Sequence, residues 1–437
     1  MLGTASAGRQ ALVSSALERP GGDTVLSEDI KRGSAPAERI ARAIAAHRPG
    51  HALAQSLYCD SDIFEHEVEH LLKAHWHCVG HSSQVPESGD YFTAELFRES
   101  IIIVRAQDRE LRALLNVCRH RGSRICVERH GHVRGGALVC PYHAWSYNLD
   151  GSLRAARHMT ADFDRASFGL KAVHLRVIEG LIFVCLAREP PGFEDVAAVL
   201  SRSARAHGWG EAKVAYRESY LVQGNWKLVE ENYMECYHCA PAHVEYSRFH
   251  LYARHEELNR EADARLHERT RALGLDIPDV DHWAEEALPG QEAVDSLRSA
   301  LADGAVSGSE DGRSLGPLMG GFSSFDGGVT FFDVGLTNHF LAYADHGLIY
   351  RFVPHTVDRT EMEVIWLVRG DAKAGLDYDV ARLTWLWRVT SEADKRIIEL
   401  NQRGVNSRWY EPGPYSQMEQ HAARFVRWIL KQLSATS

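Results

Sequence analysis

Residues 116–145 read NVCRHRGSRICVERHGHVRGGALVCPYHAW and contain two short pairs of cysteine and histidine. Cys118 and His120 form a C-x-H pair, and Cys140 and His143 form a C-x2-H pair. Two thiolates can hold one iron and two imidazoles the other iron of a Rieske-type [2Fe-2S] cluster. A zinc ribbon could use the same four ligands, although zinc sites more often use C-x2-C pairs. The segment therefore predicts an iron–sulfur cluster.

Short strands and turns surround these two pairs. Apolar runs predict strands over 101–104 and 111–117, and the sequence NLDG at 148–151 predicts a turn. Apolar residues recur at helical spacing over 61–76, ahead of the strands. Residues 91–184 are therefore predicted to form a small β domain.

Length and composition limit the class of protein. The chain has 437 residues, of which 45% are hydrophobic and 25% charged, which is typical of a globular protein with two domains. A net charge of -10 argues against nucleic acid or an anionic membrane as the main partner. No apolar stretch approaches the length of a membrane-spanning helix, and the first residues lack the pattern of a signal peptide. We therefore expect a cytoplasmic location.

The second half of the chain has a different pattern, in which long helices and strands are mixed. We predict an α+β organisation for the whole chain, because strands are followed by a long helical segment. The predicted domains are a partly disordered extension over 1–50, with one short helix near 37–46, the cluster domain with its leading helix over 51–190, and a second domain over 191–437. The predicted elements of the second domain are a helix over 226–239, a charged helical or irregular segment over 253–313, several strands over 328–370, of which 348–353 and 364–368 are the clearest, and mostly helix over 378–433.

A second motif, NWKLVEENYMECYHCAPAH, lies at residues 225–243 of this second domain. On one continuous helix, Glu231, Glu235 and His238 would share a face. Pro241 would then end the helix, so that His243 could fold back beside His238. Two histidines placed in this way supply two thirds of the 2-His-1-carboxylate triad that binds Fe(II).

The third ligand must come from elsewhere, and the best candidate is Asp394, in the segment TSEADKRIIELNQRGVNS. Its neighbours Glu392 and Glu399 are also acidic, and helical periodicity alone would make Asp394 an ordinary carboxylate on a helix surface. Cys236 and Cys239 form a C-x2-C pair that could bind zinc with the nearby histidines. Two buried free thiols are the interpretation we favour.

Taken together, these motifs resemble a known family, the α-subunits of Rieske non-haem iron oxygenases of the aromatic-ring-hydroxylating type. The resemblance runs from about residue 49 to 428 and rests on CRHRGSRIC, CPYHAWSYNLDG, GNWKLVEENYMECYHCAPAH and the D-x4-E-x2-Q-x-G pattern that begins at Asp394. It implies that Asp394 is the third iron ligand. It also implies a Rieske β-sandwich followed by a helix-grip, START-like catalytic domain with an antiparallel sheet.

The resemblance also implies partners and a path for electrons. Members of the family assemble as trimers and receive electrons from a flavin- or ferredoxin-type NAD(P)H reductase. A carboxylate bridges the cluster of one subunit to the iron of the next. By motif position that carboxylate is Glu235, between His143 of one subunit and His238 of its neighbour.

Glu235 also suggests a branch of the family, because most aromatic dioxygenases have Asp there. Glu is typical of enzymes that act on quaternary ammonium compounds, and the segments ARHMTADFDRASFGLKAVHLRVIEGLIF and NQRGVNSRWYEPGPYSQMEQ resemble glycine betaine and stachydrine demethylases. The resemblance thus implies an oxidative N-demethylation that releases formaldehyde. The chain departs from the family at Ala144, where Gly is usual, and over 253–330, which match poorly and would form much of the substrate pocket.

Aromatic side chains could bind a methylammonium group by cation–π attraction. Four of them lie on predicted strands, where packing in the core is the more common role: Phe331, Phe332, Tyr343 and Tyr350.

Two alternatives stay open at this point. One is an oxygenase that hydroxylates or N-oxidises a different small amine or a ring substrate. The other is an electron-transfer protein whose second half serves only for docking.

Overall fold

The computed structural model describes residues 35–251, 256–281 and 290–436. The predicted disorder of the N-terminal extension lies almost wholly outside these residues, whereas its predicted short helix is present as α1, Pro36–Ala45. Among the described residues, no helix combines the length and apolar character needed to cross a membrane.

The predicted β domain consists of three small antiparallel sheets. One sheet has the order β4-β3-β2-β5, a second β6-β7-β8, and a third β1-β10-β9. The strands are β1 His77–His81, β2 Asp90–Leu96, β3 Glu99–Arg105, β4 Leu111–Leu115, β5 His130–His132, β6 Ala137–Val139, β7 Ser146–Asn148, β8 Leu153–Ala155, β9 His174–Ile178 and β10 Leu181–Cys185. The two cysteine–histidine pairs lie in the loops that follow β4 and β6.

One seven-stranded antiparallel sheet dominates the second half, with the order β11-β17-β16-β15-β14-β13-β12. Its strands are β11 Ala212–Val222, β12 Val280–Asp281, β13 Val294–Ala300, β14 Gly328–Val334, β15 Asn338–Ala342, β16 Gly347–Thr356 and β17 Arg359–Arg369. The helices are α2 Gln55–Cys59, α3 Ser61–His70, α4 Glu194–Ala206, α5 Trp226–Tyr233, α6 Cys239–Ala242, α7 Val244–Phe249, α8 Glu256–Ala272, α9 Val380–Val405 and α10 Gln420–Thr436. The predicted α+β fold, with a β-sandwich domain and an antiparallel helix-grip domain, is confirmed.

The long helix α9 carries the predicted iron ligand Asp394 into the interior. It packs against β11, α5 and α7. Trp387, Thr390, Ser391 and Ile398 are all buried along one stripe of α9, and the spacing of three and four residues places Asp394 in the same stripe. The interpretation of Asp394 as a carboxylate on the helix surface is therefore wrong.

Several predicted elements differ in extent from the observed ones. The predicted helix over 226–239 ends at Tyr233, because the chain turns there before α6 begins at Cys239. The helix over 61–76 ends at His70 and is followed by a short 3-10 turn, while the strand over 111–117 ends at Leu115. Part of the segment expected to be helical or irregular is the regular strand β13, which pairs along its length with β14.

The helices that precede the β domain are tied to the catalytic half by a buried ion pair. Lys227 Nζ on α5 lies 2.6 Å from Glu67 Oε2 on α3, and both side chains are fully buried. Trp226 Nε1 donates a second hydrogen bond to the same Glu67 oxygen, at 2.9 Å. A buried pair of this kind contributes little net energy while intact, but it leaves a costly unpaired charge when one partner is removed.

We expect Lys227→Ala to lower the free energy of unfolding by about 3 to 5 kcal/mol, because Glu67 would stay buried without its cation. The measurement is a urea denaturation curve followed by circular dichroism. Lys73→Ala is the matched control, since Lys73 pairs with the half-exposed Glu69 and should cost about 0 to 1 kcal/mol. Equal losses in the two variants would contradict a special role for the buried pair.

Candidate iron centres and substrate cavity

The two cysteine–histidine loops have the same backbone design. The amide of Gly122 donates to the carbonyl of Cys118 at 2.9 Å, and the amide of Ala144 donates to the carbonyl of Cys140 at 3.1 Å. In each loop the cysteine amide donates in turn to a carbonyl five residues further on. The two pairs are therefore presented by a pair of matching turns.

Both turns need a left-handed backbone, which explains the preference for glycine. Gly122 has φ 76° and Ala144 has φ 57°. A residue with a Cβ atom in this region costs roughly 1 to 2 kcal/mol. The departure of the chain from the family pattern at Ala144 therefore carries strain, although the turn itself is kept.

Within these loops the cysteines are buried and the histidines are exposed. The rings of His120 and His143 lie 4.7 Å apart between centroids, and Trp145 stacks on His120 at 4.8 Å. The hydroxyl of Tyr147 lies 3.2 Å from Cys118 Sγ. Two inner thiols and two outer imidazoles are the donor set of a Rieske cluster, with the histidines open to solvent or to another protein.

The second constellation brings together His238, His243 and Asp394. Asp394 Oδ1 lies 2.8 Å from His243 Nε2 and 3.3 Å from His238 Nε2. One ligand atom from each of the three residues lies within 4.8 Å of the others. Two imidazoles and a carboxylate converging in this way fit the donor set of a mononuclear Fe(II) site.

Two further observations bear on this site. His243 Nδ1 is buried without a hydrogen-bond partner in the described part of the chain. Burial alone would lower the pKa of His238, but its hydrogen bonds with Asp394 and Glu235 raise that pKa to about 9. The site is therefore rich in negative charge, which suits a divalent cation.

Glu235 lies directly behind His238. Its Oε1 is 2.5 Å from His238 Nδ1, and its Oε2 accepts the backbone N–H of His238 at 3.2 Å and also that of Tyr237. A carboxylate on the outer nitrogen of a histidine fixes the tautomer and the orientation of the ring. Glu235 therefore orients His238, although it lies beyond the end of α5 rather than on a continuous helix.

Glu231, expected on the same helical face, points elsewhere. It accepts hydrogen bonds from the hydroxyls of Tyr58 at 2.6 Å and Tyr415 at 2.8 Å. Burial raises its pKa to about 7. The prediction that Glu231, Glu235 and His238 share one helical face is therefore wrong, because α5 ends at Tyr233, before Glu235.

Cys236 and Cys239 are not free thiols. They form a disulfide with a Cα–Cα distance of 4.8 Å, so the expectation of two free thiols is wrong. The chain turns after α5 and places the two Cα atoms within the range that a disulfide needs. With both sulfurs bonded to each other, the pair does not present a zinc site in this structure.

A cavity of about 110 Å³ opens beside the three converging ligands. Its walls come from the sheet, from α5 and α9, and from α10. The apolar and aromatic lining residues are Tyr233, Met234, Tyr246, Leu297, Phe331, Leu341 and Trp387. The charged or titratable ones beyond the triad are Glu235, Asp295, Asp333, His421 and Arg424.

Of the four strand aromatics, only Phe331 is among the lining residues of this cavity. Phe332 packs against Trp209 on the other face of the sheet, and the hydroxyl of Tyr343 is 2.7 Å from His250 Nε2. Tyr350 hydrogen-bonds Ser391 at 2.9 Å. The sequence offered a way to find Phe331, because alternate residues of a strand, here 329, 331 and 333, face the same side of the sheet.

Comparison with known families gives two matches, one over each of the two groups of candidate metal ligands. A Rieske [2Fe-2S] domain matches residues 75–174, and the catalytic domain of the ring-hydroxylating α-subunit matches residues 209–435. The chain belongs to the α-subunit family of Rieske non-haem iron oxygenases. It is therefore an oxygenase subunit with a [2Fe-2S] cluster and a mononuclear iron. The subunit acts on a small-molecule substrate and receives its electrons from a reductase. The alternative of a mere electron-transfer protein is wrong, because the second half is a catalytic domain.

Several characterised proteins are similar to the chain over long stretches. The oxygenase subunit of glycine betaine monooxygenase from Pseudomonas aeruginosa is 34% identical over 390 residues, which cover 87% of this chain and 89% of that protein. The oxygenase subunit of carnitine monooxygenase from Escherichia coli is 39% identical over 197 residues, covering 44% of this chain and 51% of that protein.

Solved structures support the fold. The quaternary ammonium Rieske monooxygenase CntA, in complex with L-carnitine, has a TM-score of 0.65 at 21% identity and covers 89% of this chain and 97% of that chain. Naphthalene 1,2-dioxygenase from Rhodococcus has a TM-score of 0.62 at 17% identity, covering 91% of this chain and 98% of that chain.

Proposed function

We propose that the chain is the terminal oxygenase of a monooxygenase system that removes an N-methyl group from a betaine-type quaternary ammonium compound. The N–CH3 group, dioxygen, two electrons and two protons give N–CH2OH and water, and the carbinol then loses formaldehyde to leave the demethylated amine. The observation that carries this proposal is the similarity to glycine betaine monooxygenase across 87% of the chain.

The cavity supports a zwitterionic substrate. It is lined by carboxylates and by a guanidinium, Asp333 and Arg424 among them, together with the aromatic rings of Tyr233, Phe331 and Trp387. Aromatic faces attract a quaternary ammonium group, by roughly 0.5 to 2 kcal/mol for each good contact. A betaine carries charges of both signs on a short frame, so it can use all three kinds of side chain.

The electron-accepting site in this proposal is built by Cys118, His120, Cys140 and His143, as ligands of the [2Fe-2S] cluster. Burial of the two thiols and exposure of the two imidazoles support these roles. Neutral imidazoles lower the negative charge around a cluster and so raise its potential. The exposed histidine side is where electrons from a flavin- or ferredoxin-type reductase would enter and leave.

His238, His243 and Asp394 are proposed as the ligands of the mononuclear iron. When bound there, Fe(II) supplies open coordination positions at which dioxygen can be used to oxidise a C–H bond. The protein's own contribution is to orient His238 through Glu235. It also surrounds the substrate with Phe331, Trp387 and their neighbours, which exclude water.

We further propose a homotrimer in which Glu235 connects His143 of one subunit to His238 of the next. Exposed apolar side chains at both sites support such a contact. Tyr142, beside His143, is 55% exposed, and Tyr237, beside His238, is also 55% exposed. The exposed ring beside each site leaves both open to contact with a neighbouring subunit.

We also propose that the domain boundaries lie at residues 50 and 190 and that the protein is cytoplasmic.

The test is a screen of methylated ammonium compounds with purified chain, NADH and a surrogate reductase. We expect glycine betaine or a close relative to give about one formaldehyde per dioxygen consumed, since each N-methyl oxidation uses one dioxygen. Choline, a cation without a carboxylate, should be a poor substrate. Coupled oxygen uptake with a ring or another amine substrate, without formaldehyde, would favour the alternative of hydroxylation or N-oxidation instead.

A further inference from the structure

Three ionisable side chains form a row that ends at the cavity. His339 on β15 has Nε2 at 2.8 Å from Glu230 Oε2 on α5, and Nδ1 at 2.6 Å from Asp333 Oδ1 on β14. Glu230 and His339 are fully buried, whereas Asp333 is 17% exposed and lines the cavity. The row therefore connects the interior of the catalytic half to the wall of the substrate cavity.

The charges of this row do not balance. An imidazole with a carboxylate at each nitrogen is best satisfied as a cation, because only then do both nitrogens donate. Burial would lower the pKa of His339, but Glu230 and Asp333 together raise it to about 9. One imidazolium between two carboxylates leaves one excess negative charge.

Within the described part of the chain, Glu230 carries part of this excess at an oxygen that has no hydrogen-bond partner. Its Oε1 is buried without a hydrogen-bond partner there, and burial raises the pKa of Glu230 to about 7. A buried unpaired carboxylate oxygen is costly, so the full charge is favoured only when another cation approaches the row. Asp333 is the member of the row that lines the cavity, so a cation can approach there.

The surroundings of Asp333 suit a methylated cation. Tyr233, which also lines the cavity, lies over the ring of His339 at 4.0 Å between centroids. Phe331 lies two residues before Asp333 on the same face of β14. Asp295 faces Asp333 directly across β13 and β14. Aromatic rings beside a carboxylate provide both cation–π attraction and a counter-charge.

We propose that Asp333 is a specificity-determining residue, which contacts the quaternary ammonium group of the substrate and is held in place by His339 and Glu230. The inference rests on the proposed function, and it assigns the side chain that distinguishes a cationic substrate from a neutral one of the same shape. Glu230 and His339 are positioning residues, because they act through Asp333.

The test compares two ligands of nearly identical shape. Glycine betaine and tert-butylacetate differ only in the central atom, nitrogen in one and carbon in the other, so only the first carries a positive charge. Their dissociation constants are measured by calorimetry on the full-length, iron-loaded protein without oxygen. The wild type should prefer glycine betaine, and Asp333→Asn should reduce this preference about tenfold or more by weakening betaine binding alone.

Two variants complete the design. Asp303→Asn removes an equal charge from the exposed turn that follows β13 and should change the preference less than about threefold, because Asp303 does not line the cavity. Glu230→Gln removes the excess charge without altering the cavity wall, and it should reduce the preference in the same direction as Asp333→Asn but less strongly.

An unchanged ratio of the two dissociation constants in Asp333→Asn would overturn the inference, and so would equal reductions in Asp333→Asn and Asp303→Asn. Loss of turnover in Asp333→Asn with an unchanged ratio would make the row a proton relay instead. A wild-type chain that binds tert-butylacetate as well as it binds glycine betaine, yet demethylates glycine betaine, would refute the inference and leave the proposed function standing. A wild type that neither binds nor demethylates any methylated ammonium compound would refute the proposed function itself.

Discussion

Asp394→Ala is expected to abolish turnover, by about a thousandfold or more, while the visible spectrum of the cluster stays intact. Asp394 is the carboxylate that lies against both histidines, at 2.8 and 3.3 Å. Without it, two imidazoles remain, and they do not make the three-ligand set that holds Fe(II) with open positions. Analysis of iron and acid-labile sulfide should give about three irons and two sulfides per wild-type chain, and about two of each in the variant.

Glu392→Ala is the matched control for this variant, because Glu392 lies two residues away on the exposed side of the same helix. It should keep full iron and full activity. The same loss of iron is expected for His238→Ala and His243→Ala. Retention of three irons and normal turnover in Asp394→Ala would show that the third ligand is another residue.

The second large effect is expected at Glu235. Glu235→Gln keeps the size of the side chain but loses its charge and one acceptor, so the contact with His238 Nδ1 at 2.5 Å would weaken. Both metal centres should remain loaded, and a reductase should still reduce the cluster. Transfer of the electron from the cluster to the iron should slow by about ten- to a hundredfold.

The measurement is single-turnover oxidation of the pre-reduced cluster, with oxygen and substrate present. Glu235→Asp shortens the bridge by one methylene and should be intermediate. Glu245→Gln, a change at an exposed acid of the following helix, should oxidise at the wild-type rate. Wild-type oxidation in Glu235→Gln, with iron content confirmed, would mean that electrons reach the iron by another route.

The motifs predicted the two metal-binding segments because their ligand spacings are local. Cys118 with His120, and Cys140 with His143, each lie within one turn of chain, so neighbouring residues suffice to infer the pair. Asp394 is 151 residues from His243, and only the family resemblance connected the two. Helical periodicity alone placed Asp394 on the helix surface, and only the fold shows that α9 buries this stripe against β11, α5 and α7.

The end of α5 was missed for a different physical reason. The carboxylate of Glu235 accepts backbone N–H groups two and three residues further on, in competition with the hydrogen bonds of a helix. Helix propensity treats Glu as a good helix former and does not include this local competition. The acidic residues of the cavity were not predicted from the sequence. Asp333 is linked to Glu230 through His339 only when the fold brings β14, β15 and α5 together.

The buried ion pair of Glu67 and Lys227 also limits how the molecule can be recombined with its relatives. An exchange that transplants residues 51–190 as one cassette would carry Glu67 away from its own lysine and Tyr58 away from Glu231, so the chimera would depend on whether the recipient supplies matching partners. A cassette that begins at about residue 75 leaves both contacts within the parent chain. Shuffling of electron-transfer modules among these oxygenases should therefore succeed more often when the cut lies after the leading helices.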